Sequence, residues 1–196
     1  MDVLNNILEK ANTGKIDEIS PVFNSLLSVR ENDGFHDNDP VLLHIKRVVY
    51  NVINLTAVSS SVRDYFSAPL GGHSRGELLT VAAVFHDIAK GLVLTAADGK
   101  TSCPDHERAG AEMTREYLEK EGAGKEESDY IVSIIMAHGL PHRYLKADNA
   151  DAGAGLARFA STIPDIYPDI LIFTKADVAG SQLVSKNRQL YDFINA

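Results

Sequence analysis

Residues 74–91 read SRGELLTVAAVFHDIAKG, and this stretch decides the fold class. Ser74 followed three residues later by Glu77 has the form of a capping box, in which the two side chains satisfy free backbone N–H groups at a helix start. The next residues, LLTVAAVF, are apolar on nearly every side, which is typical of a helix surrounded by other elements. The sequence therefore predicts a central buried helix that ends on two polar residues, His86 and Asp87.

The rest of the chain also shows helical periodicity and helix punctuation, with few alternating, strand-like runs. A capping residue precedes proline at 20–21 and at 39–40, and both places predict a helix start with proline in the first turn. Further helices are predicted at about 104–121, 126–137, 150–162, 166–180 and 182–194. The expected fold class is all-α, a helical bundle.

Two segments resist a helical interpretation. Residues 67–76, SAPLGGHSRG, are rich in glycine and proline and are predicted to form a loop. Residues 92–103, LVLTAADGKTSC, are a possible short hairpin that turns at Asp98-Gly99. Both segments flank the central helix, so we expect them to form a rim over whatever site the helix builds.

Length and composition limit the class of protein. A chain of 196 residues predicts one domain, 1–196, with a core at about 39–181 and N- and C-terminal helices packed on it. The net charge of −8 counts against binding to a long nucleic acid. Cys103 is the only cysteine, which excludes an intrachain disulfide and any multi-thiolate zinc site. There is no membrane-length apolar run and no signal-like N-terminus, so we expect a cytoplasmic protein with no membrane contact.

Several histidines and aspartates stand at the ends or in the middle of apolar helices. His44 lies within a strongly apolar helix, where an unpaired imidazole is costly to bury. Asp177 follows the apolar run DILIFTKA. His86 and Asp87 would point about 100° apart on a straight helix, but they can converge at a helix end where Gly91 lets the chain turn. Any one of these residues alone is more simply a hydrogen-bonded core residue, whereas together they form a plausible metal site.

The order of these residues resembles the HD-domain metal-dependent phosphohydrolase superfamily. The pattern is His44, then His86-Asp87 followed by Ile-Ala-Lys, then Asp177 within KADVAGS. The resemblance implies a helical bundle in which these four residues bind a divalent metal, and hydrolysis of nucleotide phosphomonoesters or phosphodiesters. Three stretches, at 105–118, 131–144 and 155–181, are most similar to the HD domain of bacterial tRNA nucleotidyltransferases, although this chain lacks their nucleotidyltransferase head.

The same resemblance extends to a second metal. In two-metal branches of the superfamily, histidines between the HD pair and the final aspartate bind a second ion, and the HD aspartate bridges the two. His106 and His138 stand in matching order, in the first turn of one predicted helix and the last turn of the next. The alternative for His106 is a contact with substrate phosphate. One or two ions are therefore expected, and iron, manganese, zinc, cobalt and nickel all suit such ligands.

The sequence also offers residues for catalysis and substrate binding. Asp87 and Lys90 are the candidate catalytic residues, and Lys90, His142 and Arg143 are the candidate contacts to substrate. Arg47 is a weaker candidate, and Lys90 has the alternatives of pairing with Asp87 or standing in solvent.

The expected function is that of a metal-dependent phosphohydrolase acting on a nucleotide or a related small phosphate mono- or diester. The alternatives are a di-iron oxygenase of the HD type and a non-catalytic module that binds a nucleotide or metal. The sequence leaves the oligomeric state open.

Overall fold

The structure is a computed structural model that describes residues 2–141 and 152–182. For residues 152–156 it describes only the backbone. These residues are mostly helical, which confirms the all-α class. Two short 3-10 turns accompany the helices, at Ile16–Glu18 and Pro164–Ile166. The helices are α1 (Val3–Asn12), α2 (Pro21–Ser25), α3 (Val41–Leu55), α4 (Ser60–Phe66), α5 (Arg75–Phe85), α6 (Lys90–Val93), α7 (His106–Lys120), α8 (Lys125–Ala137), α9 (Ala152–Thr162) and α10 (Tyr167–Gly180).

Strands occur only as short antiparallel pairs among the described residues. The pairs are β1 (Arg30–Glu31) with β2 (Asp39–Pro40), β3 (Pro69–Leu70) with β4 (His73–Ser74), and β5 (Thr95–Ala97) with β6 (Lys100–Ser102).

The two segments that resisted a helical interpretation have different outcomes. The possible hairpin near 92–103 is present as β5 and β6, and its turn residues Asp98 and Gly99 have φ of 50° and 74°, as a two-residue hairpin turn with positive φ requires. The prediction that 67–76 is entirely loop is wrong. Gly71, with φ of 68°, turns the chain between β3 and β4, and α5 already begins at Arg75.

Helix α5 is the centre of the molecule. The capping box is formed, since the Ser74 side chain accepts from the Glu77 backbone N–H and the Glu77 side chain accepts from the Ser74 N–H. Every residue from Leu78 to Phe85 is buried. Helices α1, α3, α8 and α10 all pack against α5, so its apolar surface is covered on several sides.

Helices α3 and α10 approach each other unusually closely at Gly180. A Cβ placed on Gly180 would lie 2.8 Å from Cγ2 of Val48, so a side chain there would push the helices apart. The Asn51 side chain donates to the Ala176 carbonyl at 3.0 Å and further joins the pair. This contact brings the helix of Asp177 against the helix of His44.

Some predictions differ from the structure or lie outside it. Helix α3 begins one residue later than expected, with Pro40 at the N-cap position, because the Asp39 carboxylate is engaged by His36 and Arg47 instead of capping the helix. The predicted helix 182–194 extends beyond the described residues. No single described helix is long and apolar enough to span a membrane; α3 and α4 meet the length and composition criteria only as a pair, bent by 111°.

Candidate metal centre

His86 and Asp87 converge because α5 stops just before them. Helix α5 ends at Phe85, and the next residues turn back, with the Ile88 N–H donating to the Phe85 carbonyl at 3.0 Å. Nε2 of His86 consequently lies 3.1 Å from Oδ2 of Asp87. The turn was expected at Gly91, which instead lies inside α6. The helix ends earlier than the glycine suggests.

The first half of the site joins three helices. Nε2 of His44, from α3, lies 3.4 Å from Nε2 of His86 and 3.6 Å from Oδ2 of Asp87. Asp177, from α10, places its Oδ1 2.9 Å from the same His44 nitrogen. The structure thus brings together the four residues that the HD pattern singled out, and their potential ligand atoms face one another.

The second half lies on the other side of Asp87. Helices α7 and α8 pack together, and the start of α7 meets the end of α8. Nε2 of His106 lies 3.2 Å from Nε2 of His138, and these nitrogens lie 3.5 and 3.9 Å from Oδ1 of Asp87. The two carboxylate oxygens of Asp87 therefore face different pairs of histidines.

The donor atoms fit divalent metal ions. Oδ1 of Asp87 is buried and accepts no hydrogen bond among the described residues, which is unfavourable for a carboxylate unless a cation sits nearby. The groups His44–His86–Asp87 and Asp87–His106–His138 each place three potential ligand atoms within 4.8 Å of one another. Nitrogen and carboxylate donors suit first-row transition metals, and they do not select one of them.

Asp87 and His86 shift the pKa of each other. Burial alone would raise the pKa of Asp87, but the charges of His86 and Lys90 outweigh it and hold that pKa well below its usual range. Burial alone would lower the pKa of His86, but Asp87 and Asp177 outweigh it and raise the pKa. The pair thus favours an ionised Asp87, the form that binds a cation.

The pKa of His138 shifts in the opposite direction from that of His86. Burial, reinforced by the charges of His86 and His106, lowers the pKa of His138 to about 4. An imidazole with this pKa is neutral near pH 7 and can offer a nitrogen lone pair to a metal.

Lys90 is a buried ion-pair partner rather than a solvated lysine. It is 7% exposed, and its Nζ lies 2.8 Å from Oδ2 of Asp87 and 2.8 Å from Oε1 of Glu31. Burial alone would lower the pKa of Lys90, but the two carboxylates raise it well above its usual value. The ammonium group is therefore a fixed positive charge beside Asp87.

A cavity of about 290 Å³ opens over these residues. Sequence reasoning missed the segment 31–36, which supplies Glu31, Asp33, Phe35 and His36 to its wall; the only local signal was the turn-forming dipeptide Asp33-Gly34. The expected rim is only partly correct. Segment 67–76 lines no part of the cavity, because it precedes α5 while the site follows it, and 92–103 contributes Cys103 alone.

His142 and Arg143, the other candidate substrate contacts, lie outside the described residues. Arg47 binds Asp39 and the Gly180 carbonyl rather than facing the cavity. Two more groups have metal-competent atoms, Glu31–Asp33–His36 and His36–Asp39–His44. Glu31, Asp33, His36 and Asp39 stand outside the HD pattern, so we assign no ion to these two groups; Lys90 pairs with Glu31, and Arg47 pairs with Asp39.

A family model described as the HD domain matches residues 55–165, more than half of the chain, and the chain belongs to the HD-domain family. The matched region contains His86, Asp87, His106 and His138, whereas His44 and Asp177 lie on either side of it.

Curated relatives are bifunctional uridylyltransferase/uridylyl-removing enzymes. The chain is 28% identical to that of Aromatoleum aromaticum over 82% of its own length and 18% of the relative's. It is 29% identical to that of Cupriavidus pinatubonensis over 81% of its length and 17% of the relative's, and 29% identical to that of Neisseria gonorrhoeae over 86% and 19%. The chain thus spans about a fifth of the length of these relatives.

Proposed function

We propose that this protein is a metal-dependent phosphohydrolase that acts on a nucleotide or a related small phosphate ester. The observation that carries the proposal is the arrangement around Asp87, whose two carboxylate oxygens face two pairs of histidine nitrogens. Two divalent ions in such a site would supply Lewis acidity toward phosphoryl oxygens and lower the pKa of a water molecule. We propose as ligands His44, His86, Asp87, His106, His138 and Asp177.

The protein's own residues would bind and orient the substrate. The ammonium group of Lys90 lies beside Asp87 in the cavity wall, so its positive charge can attract a phosphate oxygen toward the ligand cluster. The buried residues of α5, α8 and α10 would limit access of water from the side of the site that faces the core. Outside the described residues, His142 and Arg143 stay candidate substrate contacts.

The relatives support a nucleotide substrate. Their printed name includes removal of a uridylyl group, which is a nucleotide, and hydrolytic removal of such a group breaks a phosphate ester. The matched part of those relatives is the size of this chain, so we propose the same class of reaction for the domain. The wider activities of the full-length relatives are not transferred.

The direct test measures metal content and turnover together. We expect the purified protein to bind two divalent ions and, with manganese, iron, cobalt, nickel or zinc restored, to hydrolyse members of a panel of nucleoside monophosphates, cyclic nucleotides and aryl phosphodiesters. Asp87→Asn should lose both metal and turnover. Asp37→Asn, which removes an exposed carboxylate from the neighbouring segment, is the matched control.

Three results would contradict the proposal. Full turnover in Asp87→Asn would show that the reaction does not need Asp87. Oxygen consumption by the iron-loaded protein without phosphate ester cleavage would favour the oxygenase alternative. Tight nucleotide binding without turnover under every metal would favour a binding module.

A further inference from the structure

The four candidate histidine ligands differ in the hydrogen-bond surroundings of Nδ1, the ring nitrogen that does not face the site. In three of them, Nδ1 lies within hydrogen-bond distance of the backbone carbonyl three residues earlier: His86 with Ala83 at 2.9 Å, His106 with Cys103 at 2.8 Å, and His138 with Ile135 at 2.6 Å. A metal-binding histidine usually donates its second ring N–H in this way, which orients the ring. His44 differs, because its Nδ1 is buried and has no hydrogen-bond partner among the described residues.

A second unpartnered atom lies next to His44. Asp39 is 1% exposed, and its Oδ2 is held by Arg47 and by Nδ1 of His36, at 3.1 Å from the latter. Its Oδ1 accepts no hydrogen bond within the described part of the chain. Ligand-competent atoms of His36, Asp39 and His44 lie within 4.8 Å of one another. The His36 ring also packs edge-on against the His44 ring, with centroids 4.8 Å apart.

A buried N–H donor and a buried carboxylate oxygen are each unfavourable when unpaired, and one hydrogen bond satisfies both. We propose that Asp39 is a positioning residue for the metal centre. A small side-chain rotation would bring its Oδ1 within hydrogen-bond distance of Nδ1 of His44, so that Oδ1 accepts the Nδ1–H and the Nε2 lone pair of His44 stays directed toward Asp87 and Asp177. This inference rests on the proposed metal site.

Arg47 extends the same arrangement to a second ligand. Its guanidinium group binds Oδ2 of Asp39, and its Nε donates to the Gly180 carbonyl at 2.6 Å. Gly180 ends α10 three residues after Asp177. Arg47 therefore joins the carboxylate behind His44 to the helix that carries Asp177, so two ligands from separate helices are held by one residue.

The experiment compares Asp39→Asn with Asp37→Asn, a matched loss of an exposed carboxylate in the same segment. Manganese and cobalt dissociation constants are measured by calorimetry, and the ring ¹⁵N and ¹H shifts of His44 are measured in metal-free protein. We expect Asp39→Asn to raise the dissociation constant of one ion by about 10- to 100-fold, as is usual when a hydrogen bond to a metal ligand is lost. We also expect a proton on Nδ1 of His44 whose shift changes in Asp39→Asn and is unaffected in Asp37→Asn.

The two hypotheses fail differently. If the wild-type protein binds no metal, the proposed function is overturned, while the Nδ1 proton still tests the contact to Asp39. If the wild type binds metal and folded Asp39→Asn binds it equally well, only the role of Asp39 is overturned. An Nδ1 without a proton in the wild type overturns it as well. If Asp39→Asn fails to fold, Arg47→Gln is the second variant. It keeps both Asp39 and His44 but removes the guanidinium group that holds Oδ2 of Asp39, so weaker binding of one ion is again expected.

Discussion

At the scale of single residues, the site depends on a few charges that burial makes strong. Asp87 and Lys90 both lie in the interior, where an unpaired charge is costly, and each is the other's partner. Glu31 provides the second carboxylate for Lys90. A substrate phosphate would therefore meet an ammonium group whose position is already set by two anions. The position of Lys90 three residues after Asp87 suggested this pairing, but nothing in the sequence pointed to Glu31.

Replacement of Lys90 by methionine should separate catalysis from metal binding. All six candidate metal ligands remain in Lys90→Met, so metal content should persist while turnover falls by about 10²- to 10³-fold through loss of the positive charge beside the substrate phosphate. The variant leaves Glu31 buried without its cation, and we expect a loss of about 3–5 kcal/mol in the free energy of unfolding. Urea unfolding and steady-state kinetics measure the two effects.

The double variant Lys90→Met/Glu31→Gln is the control for that stability loss. It removes both charges of the pair, so part of the lost free energy of unfolding should return while turnover stays low. Wild-type turnover in either variant would show that Lys90 does not contact the substrate.

At the scale of helices, the ligands meet because particular helices approach closely. Gly180 allows α10 to lie directly on Val48 of α3. A second contact holds the far end of α10, where the buried Asp169 carboxylate accepts from the hydroxyls of Tyr65 at 2.8 Å and Tyr130 at 2.6 Å. Both contacts keep α10 in the place that brings Asp177 to the site.

Gly180→Ala should disturb the metal site although it alters no ligand. The added Cβ would overlap Val48, and relief of that overlap must move α10 away from α3. We expect a loss of about 1–3 kcal/mol in stability from overpacking, together with weaker metal binding. Gly34→Ala is the matched control, because a Cβ on Gly34 meets nothing within 4 Å. Equal metal affinities in both variants would mean that α10 adjusts without moving Asp177.

Tyr130→Phe tests the contact at the other end of α10. Loss of a hydrogen bond to the buried Asp169 should lower the free energy of unfolding by about 1–3 kcal/mol at neutral pH. Burial and the charge of Asp169 raise the pKa of Tyr130 above its ordinary 10.0. The unfolded state therefore ionises first, and the stability contributed by Tyr130 is present below pH 10 and is lost as the pH rises above it.

Urea titrations between pH 7 and 11 measure this effect. The stability difference between the wild type and Tyr130→Phe should shrink above pH 10. Tyr50→Phe, which changes an exposed tyrosine of α3, should match the wild type throughout. A difference that stays constant across this range would rule out a raised pKa for Tyr130.

At the scale of the whole molecule, the candidate metal site draws ligands from separate parts of the chain. His44 and Asp177 are far apart in the sequence, yet they lie 2.9 Å apart in the fold. The large apolar core lies behind them and includes Phe23, Phe85 and Phe173. We therefore expect the metal-free protein to stay folded and the bound metal to add stability.

Thermal unfolding with and without metal tests this linkage. At a free metal concentration 100 times the dissociation constant, each site that binds only the folded state should add about 2.7 kcal/mol to the free energy of unfolding. Removal of metal with a chelator should lower the midpoint reversibly. Asp87→Asn should show little or no such shift, and an equal shift in that variant would place the stabilising ion elsewhere.

The sequence by itself determined the elements that depend on local chemistry. The capping box at Ser74, the apolar run to Phe85 and the Asp98-Gly99 turn act over a few residues, so their structures could be predicted without the fold. The ordered His and Asp pattern identified six candidate ligands because the resemblance to a family places them in sequence. It could not show whether they meet.

Only the tertiary structure decided the arrangement of the site. Three features of the site depend on packing between segments that are distant in sequence. They are the early end of α5, the contact of α3 with α10 at Gly180, and the position of Glu31 and Asp39 beside the histidines. Such contacts form where apolar faces and buried charges from different segments can be satisfied together. That condition is a property of the folded chain, and no single stretch of sequence carries it.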